Sequence, residues 1–176
     1  MPRLANRTPV CLIRHFKERY RTSNSARLAV EALERSRMVT YGEGTLDLET
    51  VPDSWLLFPE ALDHLGLPLA GGPPFHDLTQ GPPPGRIGEL IIIDGTWGQA
   101  RRMSHRIEQV SQLPRLTLAG RPGVLRARES PSESTTSTLE SIGMALAVLD
   151  GPELGQSLLD LYDLFVARFR LQCGKK

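Results

Sequence analysis

The chain is poor in the residues that mark the commoner chemistries. Of its 176 residues only two are cysteines, Cys11 and Cys173, and they lie far apart. Neither has a zinc-type or redox-type partner nearby in sequence. A cysteine nucleophile is disfavoured too, because Cys11 sits inside an apolar run and Cys173 in the terminal tail. No His/Cys/Asp group has metal-ligand spacing, so no metal is expected. No G-x-G-x-x-G follows a strand pattern and no Walker A motif occurs, which removes the common nucleotide-binding loops. No G-x-S-x-G nucleophile elbow is present. No apolar run approaches a membrane span, and no membrane partner is expected. The first residues, "MPRLANRTPVCLIRH", lack the long apolar region of a signal peptide. The expected location is the cytoplasm. No internal repeat is visible.

What is present is an ordinary composition with an uneven charge pattern. The length suits one domain with a real core. Hydrophobic content is 40% and charged content 23%, usual for a globular protein. The net charge of +1 hides four blocks: +6 over residues 1–40, −8 over 41–98, +6 over 99–128 and −3 over 129–176. Two basic segments on an otherwise acidic chain point to an anionic partner. Of the 21 basic residues, 18 are Arg. Arginine binds phosphate with two parallel bonds and stacks on bases, although genome composition produces the same bias.

The periodicities predict an α/β fold with a mainly parallel sheet flanked by helices. "VCLIR" (10–14) is a short buried strand, followed by a charged loop, "HFKERYRT". "SNSARLAVEALERS" predicts a helix capped by Asn24, with Leu28, Ala32 and Leu33 on one face. "SWLLFPEA" (54–61) predicts a strand ended by Pro59. Residues 71–85, with four Gly and five Pro, predict a surface loop without a strand. "LIIID" has the composition of a strand buried on both faces. Thr96 and Gln99 then form a capping box, with Ala100, Met103, Ile107 and Val110 on one helix face. "PRLTL" (114–118) is a further strand. A polar loop, "AGRPGVLRARESPSESTT", leads to a second capping box, Ser137 and Glu140, and a helix carrying Leu139, Ile142, Leu146 and Leu149. Leu154, Leu158, Leu161, Phe165 and Phe169 mark a C-terminal amphipathic helix.

In parallel sheets ligands bind beyond the carboxyl ends of strands. Asp94 and the Ser/Thr loop before residue 137 are therefore the site candidates. "hhhhDGT" is close to the strand end of the haloacid-dehalogenase phosphatases, but a required carboxylate is missing. With Asp94 as the second acid, Ile92 stands at the nucleophile; with Asp94 as the nucleophile, Thr96 stands at the acid. What remains is one carboxylate, one hydroxyl and one aromatic, with arginines on the following helix. A lone carboxylate can act as a base or orient an acidic N–H. An aromatic can stack on a base or lie against a sulfonium. Alkyl transfer to a nucleobase is permitted by this set, not required by it.

The block "LIIIDGTWGQARRM" resembles the signature of the DTW-domain family, named for Asp-x-Thr-Trp: here Asp94, Thr96 and Trp97. "RHFKERYRTSNSARL" is similar to the family's N-terminal stretch through His15, Glu18, Asn24 and Leu28. "LLFPEA" resembles its Phe-Pro strand end. "LRARES…STLESIGMAL" resembles its Arg-x-Arg-Glu and Ser-Thr-x-Glu-Ala blocks through Arg126, Arg128, Glu129, Ser137, Thr138 and Glu140. The resemblance runs from about residue 9 to residue 170 of a single domain, 1–176. It implies a SPOUT-like fold whose C-terminal part forms a trefoil knot, a topology that pattern reasoning by itself would exclude. It also implies a tRNA-uridine aminocarboxypropyltransferase. Such enzymes transfer the 3-amino-3-carboxypropyl group of S-adenosylmethionine to N3 of a uridine and release 5′-methylthioadenosine. A SPOUT-type RNA methyltransferase and a non-catalytic RNA-binding module are the alternatives. The chain departs from the family pattern at Ser25, Leu125 and Ser141, and the 71–85 loop looks long. It has no counterpart of the cysteine-rich segment that often precedes the first strand, so RNA selection is expected to differ.

With the reaction that the resemblance implies, the residues take the following expected roles. Asp94 would accept or orient the uridine N3–H. Phe58, Pro59 and Leu118, by analogy with SPOUT sites, would hold the adenosine, together with the Asp94-Gly95-Thr96-Trp97 turn. Thr96 is a cap first and a ligand contact second, and Trp97 packs on the donor or pins its helix. Ser137 and Thr138, at a helix N-terminus, suit the donor's carboxylate. Arg126 and Arg128 are placed to meet donor carboxylate or RNA. Arg14, His15, Arg19, Arg21, Arg101 and Arg102 are the RNA-phosphate candidates. Asn24 is read as a cap rather than a site residue. The oligomeric state stays open, with a monomer preferred.

Overall fold

The computed structural model describes residues 3–58, 72–118 and 136–174. Its centre is a six-stranded sheet in the order β2-β1-β5-β3-β6-β4, with every pairing parallel. The strands are β1 (Val10–His15), β2 (Ser36–Tyr41), β3 (Ser54–Leu57), β4 (Phe75–Asp77), β5 (Glu89–Asp94) and β6 (Arg115–Thr117). The helices are α1 (Ala26–Ala32), α2 (Trp97–Arg106), α3 (Glu108–Ser111), α4 (Thr138–Leu149) and α5 (Pro152–Gln172).

The run Leu90-Ile91-Ile92-Ile93 is apolar without alternation because β5 is buried on both sides. Val10, Leu12, Leu57, Leu90, Ile92 and Leu116 meet α1, α4 and α5 on one face. Cys11, Ile13, Leu56, Ile91 and Ile93 meet α2 and α3 on the other. Three layers result, with helices on each side of the sheet. α4 and α5 cross closely where Gly143 and Gly155 face each other; a side chain at Gly155 would run into Ala147 and the Gly143 carbonyl.

Four expectations change. The predicted helix after Asn24 is shorter, and its tail turns into edge strand β2, whose residues are all half-buried. Arg37 of β2 reaches across β1 to Glu89 of β5 with two hydrogen bonds, 2.8 and 2.7 Å, which pins this edge. Residues 71–85 contain a strand after all: Phe75–Asp77 lies on the opposite edge, where three residues suffice. Pro74 is tolerated there because its carbonyl, not an N–H, joins the ladder, accepting from the Arg115 N–H at 2.8 Å. The "HFKERYRT" loop holds a 3₁₀ turn, Phe16–Glu18. The helix predicted through Val110 breaks at Ile107, whose extended backbone separates α2 from α3 while its side chain stays buried.

Candidate active site

Both capping boxes close as the sequence predicts. The Thr96 hydroxyl accepts from the Gln99 N–H at 3.4 Å and the Gln99 side chain accepts from the Thr96 N–H at 2.7 Å. Ser137 and Glu140 do the same, at 3.2 and 3.1 Å. These caps fix where the two helices begin, and so what faces the carboxyl end of β5.

Asp94 ends β5 and is only 6% exposed. One of its carboxylate oxygens accepts from Asn24 Nδ2 at 2.6 Å, the other from Thr138 Oγ1 at 2.8 Å. Two neutral donors, from the loop before α1 and from the first turn of α4, thus orient the carboxylate. Asn24 does two jobs: its Oδ1 also accepts from the Ala26 N–H at 3.0 Å, bracing the turn into α1 from one residue before the N-cap, Ser25, and its Nδ2 holds Asp94. The sequence suggests only the first, since nothing in spacing links residues 70 apart.

A cleft opens beside Asp94 at the ends of β5, β3 and β6. Its walls include Phe58, Leu116, Leu118, Gly95, Trp97 and Thr138. Of the predicted donor-site residues, Phe58, Gly95, Trp97, Leu118 and Thr138 are brought together here. Phe58 and Trp97 lie with ring centroids 6.4 Å apart, tilted by 59°, and Trp97 keeps 43% of its surface exposed. Behind Phe58 lies the buried guanidinium of Arg115, 5.6 Å from the ring centroid, its pKa lowered by burial. Thr96 and Ser137 serve their caps and do not line the cleft. Thr136, from the Ser/Thr loop before residue 137, and Ser141 also line it and share a hydrogen bond, although neither was singled out as a donor-site residue. Pro59, Arg126, Arg128 and Glu129 lie outside the described residues.

The basic candidates gather on the other side of Asp94. His15 ends β1 beside Gly95, and Arg102 of α2 acts on it electrostatically. The two basic segments of the sequence therefore meet in space. Arg19 and Arg21 are exposed and paired with Glu43 (3.1 Å) and Glu18 (3.3 Å). Arg101 and Arg102 are exposed on α2. His15 stacks on Phe16, with centroids 4.9 Å apart. Burial first, then the neighbouring Lys17, lower its pKa, which favours the neutral imidazole. Arg14 differs from the rest: it is buried, 9% exposed, and its side chain is not on the solvated surface where a phosphate contact was expected.

Among the described residues no group of three or more His, Cys, Asp or Glu side chains could hold a metal ion. No helix among them is long and apolar enough to cross a membrane. A parallel α/β sheet with an Asp-x-Thr-Trp turn at its carboxyl edge defines the class, and the DTW domain model matches residues 1–170. The chain belongs to the DTW-domain family. It is 29% identical over 164 residues to tRNA-uridine aminocarboxypropyltransferase 2 of Drosophila melanogaster, covering 85% of this chain and 60% of that protein. The chain thus spans about three-fifths of that relative's length. No solved structure matches it.

Proposed function

We propose that this protein transfers the 3-amino-3-carboxypropyl group of S-adenosylmethionine to N3 of a uridine in tRNA. The observation that carries the reading is the Asp94 carboxylate, oriented by Asn24 and Thr138 between an aromatic cleft and a basic surface. The sulfonium is an activated leaving group, so the protein must select the carbon attacked and prepare the nucleophile. Asp94 takes the N3 proton, the nitrogen bonds to the γ-carbon of the methionine moiety, and the carbon–sulfur pair returns to sulfur. 5′-Methylthioadenosine leaves as a neutral thioether. Alignment of nitrogen with the breaking bond supplies much of the rate.

The lining of the cleft supports such a donor. Phe58, Leu116 and Leu118 offer apolar walls for an adenine, and the exposed Trp97 face suits a sulfonium. The name of the Drosophila melanogaster relative supports the reaction and the tRNA substrate. We read the fold as SPOUT-like with a C-terminal trefoil knot; the connection between β6 and α4 that would form it lies outside the described residues. The protein acts in the cytoplasm, as a monomer, without a metal.

By-product analysis tests the reading. Incubation with tRNA and the donor is expected to release 5′-methylthioadenosine. Release of S-adenosylhomocysteine instead would make it a methyltransferase. No donor binding by calorimetry would leave an RNA-binding module.

A further inference from the structure

Arg14 is a buried cation that the proposed chemistry has not used. It pairs laterally with Asp94 across β1 and β5, so the two side chains leave the same face of the sheet. Its Nη2 donates to Thr40 Oγ1 over a long 3.3 Å, and its buried Nε has no hydrogen-bond partner among the described residues. No ion pair to it occurs among them either. A guanidinium does not neutralise itself by losing a proton, and a buried charge is costly unless paired. An anion is the natural complement.

The geometry points to Arg14 as the anchor for the donor's α-carboxylate. This assignment rests on the aminocarboxypropyl-transfer reading. Three features favour a carboxylate over an RNA phosphate. Arg14 is buried, away from the surface that a polymer backbone would cross, while Arg19, Arg21, Arg101 and Arg102 stand exposed for phosphates. Two of the expected carboxylate ligands are already engaged: the Ser137 hydroxyl in its cap, the Thr138 hydroxyl on Asp94. And adjacent strands lie about 4.8 Å apart, close to the reach from the reacting γ-carbon to the carboxylate three bonds away. Turning the guanidinium off its weak Thr40 bond presents Nε and Nη2 as a fork, the geometry that matches a carboxylate. Arg14 would then fix the donor so that its γ-carbon, not its methyl group, faces Asp94.

The test compares two ligands that differ by the anchored group. S-Adenosylmethionine carries the carboxylate; 5′-methylthioadenosine does not. By calorimetry, Arg14→Gln is expected to lose roughly 10- to 100-fold in affinity for S-adenosylmethionine and to keep its affinity for methylthioadenosine. Arg14→Lys, which keeps the charge without the fork, is expected to lose less, and serves if the Gln variant does not fold. Equal losses for both ligands, or none, would overturn the anchor. So would a loss confined to tRNA binding with a shallower salt dependence, which would make Arg14 a phosphate contact. Wild-type protein that binds neither small molecule would overturn the underlying reading and the anchor with it.

Discussion

Asp94 owes its orientation to two neutral donors that arrive from opposite ends of the chain, Asn24 and Thr138. These donors fix the carboxylate's direction without carrying charge themselves, which suits a group that must take a proton. Removing one should disturb geometry more than donor affinity. Asn24→Ala is expected to lower kcat by roughly 10²-fold, the scale of an ångström-size misplacement, with KM for the donor nearly unchanged; steady-state kinetics checks this. A second prediction concerns the thiols. Burial pushes Cys11 up to about 12, against a lowering by Arg37, while Cys173 is exposed. At pH 8 native protein should react with one equivalent of a thiol reagent, and denatured protein with two. The location of Asp94 was legible in the sequence, because an apolar run ending in a carboxylate marks the edge where ligands bind. Its partners were not, since Thr138 is 44 residues away. The burial of Arg14 was not legible for a related reason: charged residues are normally solvated, and nothing local marks the exception.

Elements were legible where local chemistry dictates them. Both capping boxes and the α4 and α5 apolar faces follow from spacing alone. The edge strands β2 and β4 did not, because their signals are weak: β2 is half-buried throughout, and β4 has three residues directly after Pro73 and Pro74. Partners across the sheet, not propensity, hold them. The Thr96 cap is a test at this scale. Thr96→Ala should cost about 1 kcal/mol in urea unfolding, the worth of a lost N-cap, while leaving the fold intact. The same cap sets the path of the turn from Gly95 into Trp97. Activity should therefore fall more than the stability loss implies.

At the scale of the whole molecule, folding brings together what the sequence keeps apart. Basic segments at 1–40 and 99–128 converge at the carboxyl edge of β1 and β5, where Arg102 acts on His15. One side of Asp94 is then apolar and aromatic, the other basic, a division that suits a small donor and a polyanion meeting at one carboxylate. tRNA affinity should fall steeply as salt rises, and the double change Arg101→Ala, Arg102→Ala should reduce that slope by about 1.5, as two lost phosphate contacts would. Affinity indifferent to a severalfold rise in salt would refute this surface. The most direct measurement is mass spectrometry of tRNA nucleosides after incubation with S-adenosylmethionine and either wild-type protein or Asp94→Asn. The account predicts aminocarboxypropyl-uridine with the wild type and a product rate lower by about 10²- to 10⁴-fold with the variant, the usual worth of a positioned base. A methylated nucleoside, or full transfer by Asp94→Asn, would contradict it.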